Sequence, residues 1–246
     1  MYLSESYSPL SSPDYLAGRP GASGFFGDVP ELSAIHGVAR STPRDIRRHP
    51  VGGRWKRGLD ILIAGGALLA LSPVLLTVAL LVKMESKGPA LFVQRRGGFR
   101  GRVFLIYKFR TMTSLDDDKV VAQATREDSR ITRVGAFLRR TSIDELPQLL
   151  NVLRGEMSIV GPRPHAVAHD IAFAQRAPQY RKRTAARPGI TGLAQVSGSR
   201  GNLESDQDLE LRVEKDIQYI NTWSMRLDVS IIVRTARLVV SDPNAY

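Results

Sequence analysis

Apolar residues are spread unevenly along the chain. From Leu59 to Val82 there are 24 consecutive residues, and Asp60 is the only charge among them. At about 1.5 Å per residue a helix of that length reaches across the ~30 Å hydrocarbon layer of a bilayer. Ser72-Pro73 falls at its middle, where a proline removes one helix hydrogen bond and bends the axis. Basic residues flank both ends: Arg54, Lys56 and Arg57 before, Lys83 and Lys87 after. Positive flanks stay on the cytoplasmic side, and a straight span keeps only one end there. Two expectations follow: a simple span, or a helix bent at Ser72-Pro73 that dips into one leaflet and returns. In the second, the Ser72 hydroxyl is expected to help satisfy backbone carbonyls freed by Pro73.

After this segment the period changes. "ALFVQRR" and "RVFLIYKFRTM" are short runs rich in β-branched and aromatic residues, separated by "GGFRG". They predict a strand pair around a glycine-rich turn. "TSLDDDKVVAQATREDSR" is a polar loop, and "ITRVGAFLRRTS" has helical spacing with Ile131, Val134, Phe137 and Leu138 on one side. "SIDELPQLLNVL" predicts a helix with Leu146, Leu149, Leu150 and Leu153 toward a core. Ser142 and Glu145 stand at capping-box spacing at its start. "MSIV" is strand-like, while "GPRP" and "RPGITG" are turn-rich loops. Residues 203–222 and 226–240 predict two C-terminal helices. In the second, Leu227, Ile231 and Leu238, with Trp223 just before, form a face for a core or for a bilayer surface.

Composition changes this picture at the N-terminus. Residues 1–50 hold eight Ser, six Pro and five Gly without a sustained apolar run, which predicts a mostly disordered tail. A basic start followed by an apolar stretch is missing, so a secretory signal peptide is not expected. The five arginines of this tail balance its five acids, so the net charge of +11 lies wholly beyond it. A basic body suggests an anionic partner: nucleic acid, anionic lipid or a phosphorylated small molecule. A basic surface alone is weak ground for nucleic-acid binding, and inner-leaflet lipid accounts for it equally. The chain has no cysteine, which excludes disulfides and cysteine-ligated metal.

The candidate chemistry centres on Asp144 and Glu145. Adjacent acids at a helix start are usually structural, because the helix dipole favours them there. Here arginines surround them: Arg139 and Arg140 before, and Arg163 after a helix and a strand. "KFR" adds Lys108 and Arg110, and "RPG" adds Arg187. Arginine forks match phosphate oxygens. A carboxylate beside a polyanion can hold Mg²⁺ or attack phosphorus, and nearby cations would keep Asp144 ionised. Competing chemistries find no support. The GK[ST] of a P-loop and the HExxH of a zinc protease are absent. His165 and His169, in "HAVAH", are expected to be ordinary surface residues or supports for the site. No nucleophile-elbow motif is present.

From about residue 54 to the end, the chain resembles the bacterial sugar transferases of the polyprenyl-phosphate hexose-1-phosphate transferase type, the monotopic phosphoglycosyl transferases. The motifs are "KRGLDILIAGGALLALSP", "FVQRR", "YKFRTM", "LRRTSIDELPQLLNVLRGEMSIVGPRPH", "RPGITGLAQVSGSRG" and "YINTWSMRLDVSII". The resemblance implies transfer of a sugar-1-phosphate from a UDP-sugar to undecaprenyl phosphate, with release of UMP. Asp144 matches the family nucleophile, which forms a covalent phosphosugar intermediate. Glu145 matches its partner in binding Mg²⁺ or managing the proton. Arg139, Arg163 and Arg200 match positions expected to contact phosphate, with Lys108 and Arg110 supporting. Ser72-Pro73 matches the break of the family's re-entrant helix.

The likeness is strongest to undecaprenyl-phosphate glucose phosphotransferases, which use UDP-glucose to start exopolysaccharide synthesis; galactose-1-phosphate transfer and a non-catalytic membrane scaffold are the alternatives. Larger members carry further membrane helices before the core, so a short form is expected. Leu193 stands where many members have Trp, and Gly97 where an aliphatic residue is common. The implied fold is a mainly helical α/β protein. It comprises a tail over 1–50, a re-entrant membrane helix over 51–87, and a cytoplasmic catalytic domain over 88–246 with a small β element and amphipathic interfacial helices. It is expected at the inner membrane, in contact with its lipid and not with nucleic acid; a homodimer stays open.

Overall fold

The computed structural model describes residues 50–113, 128–199 and 205–241. The expected N-terminal tail and Arg200 therefore lie outside the described residues, apart from Pro50. The apolar segment forms one 33-residue helix, α1 (Gly53–Glu85), with Pro73 inside it. Its hydrogen-bonding pattern continues through Ser72-Pro73. Proline cannot donate to the carbonyl four residues back, which is Leu69, and the Ser72 hydroxyl donates to that oxygen at 2.8 Å. Among the described residues α1 alone is long and apolar enough to cross a bilayer. Leu62, Leu69, Leu76 and Leu80 stand exposed along it.

The expected strand pair is present. β1 (Leu91–Gly97) and β2 (Val103–Phe109) pair antiparallel from Leu91 opposite Phe109 to Gly97 opposite Val103. A short 3₁₀ turn, Phe99–Gly101, joins them. Next comes α2 (Arg133–Thr141), whose start is capped twice. The Thr132 hydroxyl accepts from Gly135 N at 2.9 Å, and the Glu85 carboxylate, from the end of α1, accepts from Val134 N at 3.1 Å. Such acceptors satisfy the orphan donors of a helix start.

"SIDELPQLLNVL" is not one helix. A 3₁₀ turn (Ile143–Glu145) precedes α3 (Gln148–Arg154), because Ser142 ends α2 in the left-handed region at φ 57°. In that conformation Ser142 makes no side-chain cap, so the capping box with Glu145 is not formed. The buried face of α3 also differs from the leucine stripe. Leu149 and Val152 are buried, but so are Gln148 and Asn151, while Leu150 and Leu153 are exposed. Asn151 explains the shift: its amide nitrogen donates to Leu105 O at 2.6 Å and its oxygen accepts from Tyr107 N at 3.1 Å. These bonds to β2 outweigh the apolar pattern in orienting the helix.

β3 (Ser158–Val160) and β4 (Gly189–Thr191) pair in parallel, so part of the expected "RPGITG" loop is a strand. Their ends nearly touch: a Cβ on Gly189 would lie 2.1 Å from Gly161 N. Both glycines are thus required by close backbone approach. Between these strands lie α4 (Val167–Arg176) and a 3₁₀ segment, Tyr180–Ala185. After β4 come the short α5 (Leu193–Val196) and the two long helices α6 (Asp206–Thr222) and α7 (Met225–Ser241), which match the expected C-terminal pair. Ile231 is fully buried, with Leu227 and Leu238 packed beside it, so the expected face is turned to the core.

Both halves of α1 pack on this one body. Its first half joins the main core with Phe104, Ile106, Met157 and Ile231. Its second half places Val78 and Val82 against Phe109 and Leu138. Buried polar bonds fix the first half. The Lys56 ammonium donates to Asp228 at 2.6 Å, and Asp228 also accepts from Tyr219 at 2.8 Å and Trp223 at 3.0 Å. Asp60 accepts from the Ser158 hydroxyl at 2.9 Å and Ile159 N at 3.0 Å. Removing one member of a buried pair costs about 3–5 kcal/mol. Asp228→Ala is therefore expected to lower stability by about that amount in detergent thermal unfolding. Lys56→Met/Asp228→Leu should recover part of the loss, since neither charge is then left alone.

Candidate active site

The left-handed turn at Ser142 folds the acid pair back beneath α2, while β2 brings Lys108 alongside. Glu145 is the hub. Lys108 Nζ donates to its Oε1 at 2.8 Å, and Arg163 closes on it with both terminal nitrogens, Nη2 to Oε1 at 2.6 Å and Nη1 to Oε2 at 3.0 Å. Such a fork is the strong form of carboxylate recognition. Against the desolvation of its burial, Arg163 and Lys108 hold the Glu145 carboxyl well below the usual carboxylate range.

Asp144 is placed differently. It is 7% exposed, and among the described residues its carboxylate has no hydrogen-bonding partner. Burial first, and then the adjacent Glu145, push its pKa up to about 6, while Lys108, Arg163 and Arg139 pull the other way. The neighbouring cations do favour the ionised form, as expected, but burial and Glu145 outweigh them, and Lys108 and Arg163 are engaged by Glu145. At neutral pH Asp144 remains mostly a carboxylate, one left open to a ligand.

Arg163 is held through its backbone. Its carbonyl accepts from Arg183 Nη2 at 2.8 Å, and Arg183 is anchored by Nε and Nη2 to Asp216, at 3.0 and 2.7 Å. Tyr180 Oη accepts from Arg183 at 2.9 Å and contacts His165 Nδ1 at 2.6 Å; it donates to Asp170. Arg96 donates to Pro164 O at 3.1 Å. His165 is thus buried inside a brace for the "GPRPH" loop and is not a surface residue. Burial, with Arg183, Arg212, Arg96 and Arg163 around it, keeps its pKa well below the usual histidine value. His165 precedes α4, whose first residue is Val167, so it shares no helix face with His169. Arg96, Tyr180, Arg183 and Asp216 went unnoticed in the sequence. Only three-dimensional pairing marks them out.

The remaining predicted residues divide. Arg139 is buried in the last turn of α2, where its charge acts on Asp144. Arg110 does not join the acid pair. It is buried at the end of α1, donating to Ser86 O at 2.6 Å and to the Ser86 hydroxyl at 3.0 Å. Arg187 donates to Gly155 O at 2.8 Å, on the side of Arg57 and Asp60. Leu193 packs against the main core.

Among the described residues no group of three or more His, Cys, Asp or Glu side chains gathers at one point. Magnesium can be held by only one or two carboxylates when substrate phosphates supply other oxygens. The open carboxylate of Asp144 fits that mode; the Glu145 oxygens face Lys108 and Arg163.

A buried aspartate thus lies beside a glutamate clamped by two cations, on a body that carries an exposed apolar helix. The family model for bacterial sugar transferases matches residues 51–242, and the chain belongs to that family. It is 53% identical over 191 residues to a UDP-glucose:undecaprenyl-phosphate glucose-1-phosphate transferase of Caulobacter vibrioides, covering 78% of this chain and 72% of that protein. A protein of the same name from Escherichia coli is 51% identical over 204 residues, 83% of this chain and 44% of the relative. A UDP-N-acetylgalactosamine-undecaprenyl-phosphate N-acetylgalactosaminephosphotransferase of Aeromonas hydrophila is 42% identical over 192 residues, 78% of this chain and 45% of the relative. The chain therefore spans less than half of the last two.

The division between the acids is measurable. The Asp144 carboxyl stretch, followed by pH-difference infrared spectroscopy against Asp144→Asn, is expected to titrate near pH 6. Glu145→Gln should lower that midpoint, because it removes a neighbouring negative charge and frees two cations. An ordinary midpoint in the unmodified protein would contradict the assignment.

Proposed function

We propose that this protein transfers glucose-1-phosphate from UDP-glucose to undecaprenyl phosphate, releasing UMP and starting exopolysaccharide or capsule synthesis. The carrying observation is the pairing of an unengaged, buried Asp144 with Glu145 held between Lys108 and Arg163. An Asp144 oxygen attacks the phosphorus that bears the sugar. The bond from that phosphorus to the bridging oxygen breaks, and UMP departs with the electron pair. An oxygen of undecaprenyl phosphate then attacks the same phosphorus, and the Asp144 carboxylate leaves. The product is the lipid-linked sugar pyrophosphate.

The remaining groups position and neutralise. Lys108, Arg139 and Arg163 surround the acids and supply positive charge where the phosphates gather. Arg200, in "SGSRG", is proposed as a further phosphate contact through its family position. Asp144 is the carboxylate that would hold magnesium, which would neutralise charge on the pyrophosphate oxygens, while Glu145 keeps its oxygens on Lys108 and Arg163. The brace of Arg183, Asp216 and Tyr180 fixes the loop that presents Arg163. The relatives named above differ in their sugar, UDP-glucose for two and UDP-N-acetylgalactosamine for the third.

Detergent-solubilised protein with Mg²⁺, UDP-glucose and polyprenyl phosphate is expected to release UMP. Across a UDP-sugar panel, UDP-glucose should give the fastest turnover. Asp144→Asn should reduce release by about four orders of magnitude or more, as loss of a nucleophile does, without altering thermal unfolding. Labelled sugar-phosphate should be trapped on Asp144. Full activity in Asp144→Asn would sink the nucleophile assignment, and no turnover with any donor would favour a scaffold role.

The contacts of α1 support a re-entrant placement at the cytoplasmic face of the inner membrane. A 33-residue helix measures about 50 Å. Both of its halves pack on one polar body, so a span with its ends on opposite faces would drag that body through the lipid. The chain has no native cysteine, which leaves single reporters unambiguous. Arg54→Cys and Lys87→Cys, both at exposed positions, are expected to resist an impermeant maleimide in intact cells and to react after permeabilisation. Labelling of either one in intact cells would refute re-entry.

A further inference from the structure

A cavity of about 530 Å³ adjoins the acid pair. One wall is α1, through Ile63, Ala67 and Leu71. The opposite wall is α7, through Ile232, Leu238 and Val239. Leu146, Leu149, Ile159 and Ile190 complete an aliphatic lining, and the polar edge is Thr141, Ser142 and Glu145. The lining hydroxyls of Thr191 and Thr235 satisfy each other at 2.6 Å. The one other polar side chain of the lining away from the rim is Gln195, whose buried Oε1 has no partner among the described residues, so a nucleotide or a sugar placed here would lose most of its hydrogen bonds to water without replacement. The volume lies within the ordinary range of a ligand site, about 300–1,000 Å³.

The occupant must then combine two chemistries: a hydrocarbon body for the aliphatic walls and an anionic end for the rim. Glu145, at that rim, is held by Lys108 and Arg163, and Asp144 is the next residue. Access is also apolar. Both walls turn exposed aliphatic side chains outward, Leu62 and Leu69 on α1 and Val229 and Val233 on α7. A chain dissolved in the bilayer can enter between them without crossing water.

We infer that this cavity holds the first isoprenoid units of the polyprenyl phosphate acceptor, and that its walls deliver the acceptor phosphate to Asp144. The inference rests on the transfer reading above and assigns the acceptor's place within it. The methyl-branched chain suits walls of Ile, Leu, Val and Ala. The nucleotide sugar reaches the acids from the other, polar side, where Arg163 is presented.

The test uses the full-length protein in nanodiscs. A polyprenyl phosphate with a diazirine on the unit next to the phosphate is expected to label α1 near Leu71 and α7 near Ile232, mapped by mass spectrometry. Excess undecaprenyl phosphate should suppress the labelling. Ala67→Phe, which fills the space, is expected to raise KM for undecaprenyl phosphate at least about ten-fold. Single-turnover UMP release from UDP-glucose should stay unchanged, which also reports that the variant is folded. Labelling outside α1 and α7 overturns the inference, as does suppression by phosphatidylglycerol but not by undecaprenyl phosphate, which would mark a bilayer-lipid site. An unchanged acceptor KM in a folded Ala67→Phe does the same. Absence of UMP release by the unmodified protein would instead refute the transfer reading.

Discussion

The structure depends on burying two polar side chains of a mostly apolar helix against a polar body. Lys56 and Asp60 are the charges of α1 that reach the interior, and both find partners there: Asp228 for one, Ser158 and the Ile159 amide for the other. A buried charge without such partners is strongly disfavoured. The helix therefore has one rotational setting and one depth at its first half. Arg110 at the Ser86 carbonyl and Glu85 at the start of α2 fix the second half. Everything near the acid pair inherits this placement. The same α1 that exposes Leu69 and Leu76 lines the cavity with Ala67 and Leu71.

Most of the architecture was legible in the sequence because it rests on local period. The strand pair around "GGFRG", the helix over "RVGAFLRRT" and the two C-terminal helices follow from alternation and helical spacing. So does the Ser72 hydroxyl, which takes up the Leu69 carbonyl left over by Pro73. The misreadings share a different cause. Ser142 fits a capping box by spacing, but its left-handed backbone, which no spacing rule reveals, converts it into a hinge. Leu150 and Leu153 fit a core stripe, yet Asn151 rotates α3 by bonding to β2. Arg110 stands two residues from Lys108, but it follows the strand's end and turns to α1. Tertiary hydrogen bonds override pattern where they are buried and specific.

The acid pair shows the same limit at the site. Sequence proximity suggests that neighbouring cations serve both carboxylates. Three-dimensional geometry divides them unequally. Lys108 and Arg163 spend their donors on Glu145, which fixes its charge and leaves Asp144 alone with a burial penalty. Two adjacent acids in different environments thus acquire different affinities for the proton. The brace behind Arg163, made by Arg183, Asp216, Tyr180 and His165, spans the chain from 163 to 216 and has no linear signature.

The clamp on Glu145 also sets how the pocket meets an anion. Lys108 and Arg163 face the two acids and Arg139 stands beside Asp144, so most of the centre's positive charge is already met within it, although the whole chain carries +11. Long-range attraction draws a polyanion toward the protein, but at the centre the anion must compete with Glu145 for each donor. Under the proposed transfer, a centre arranged in this way would hold phosphate by exchange of partners, and the glutamate that yields its cations on arrival would reclaim them when the nucleotide departs.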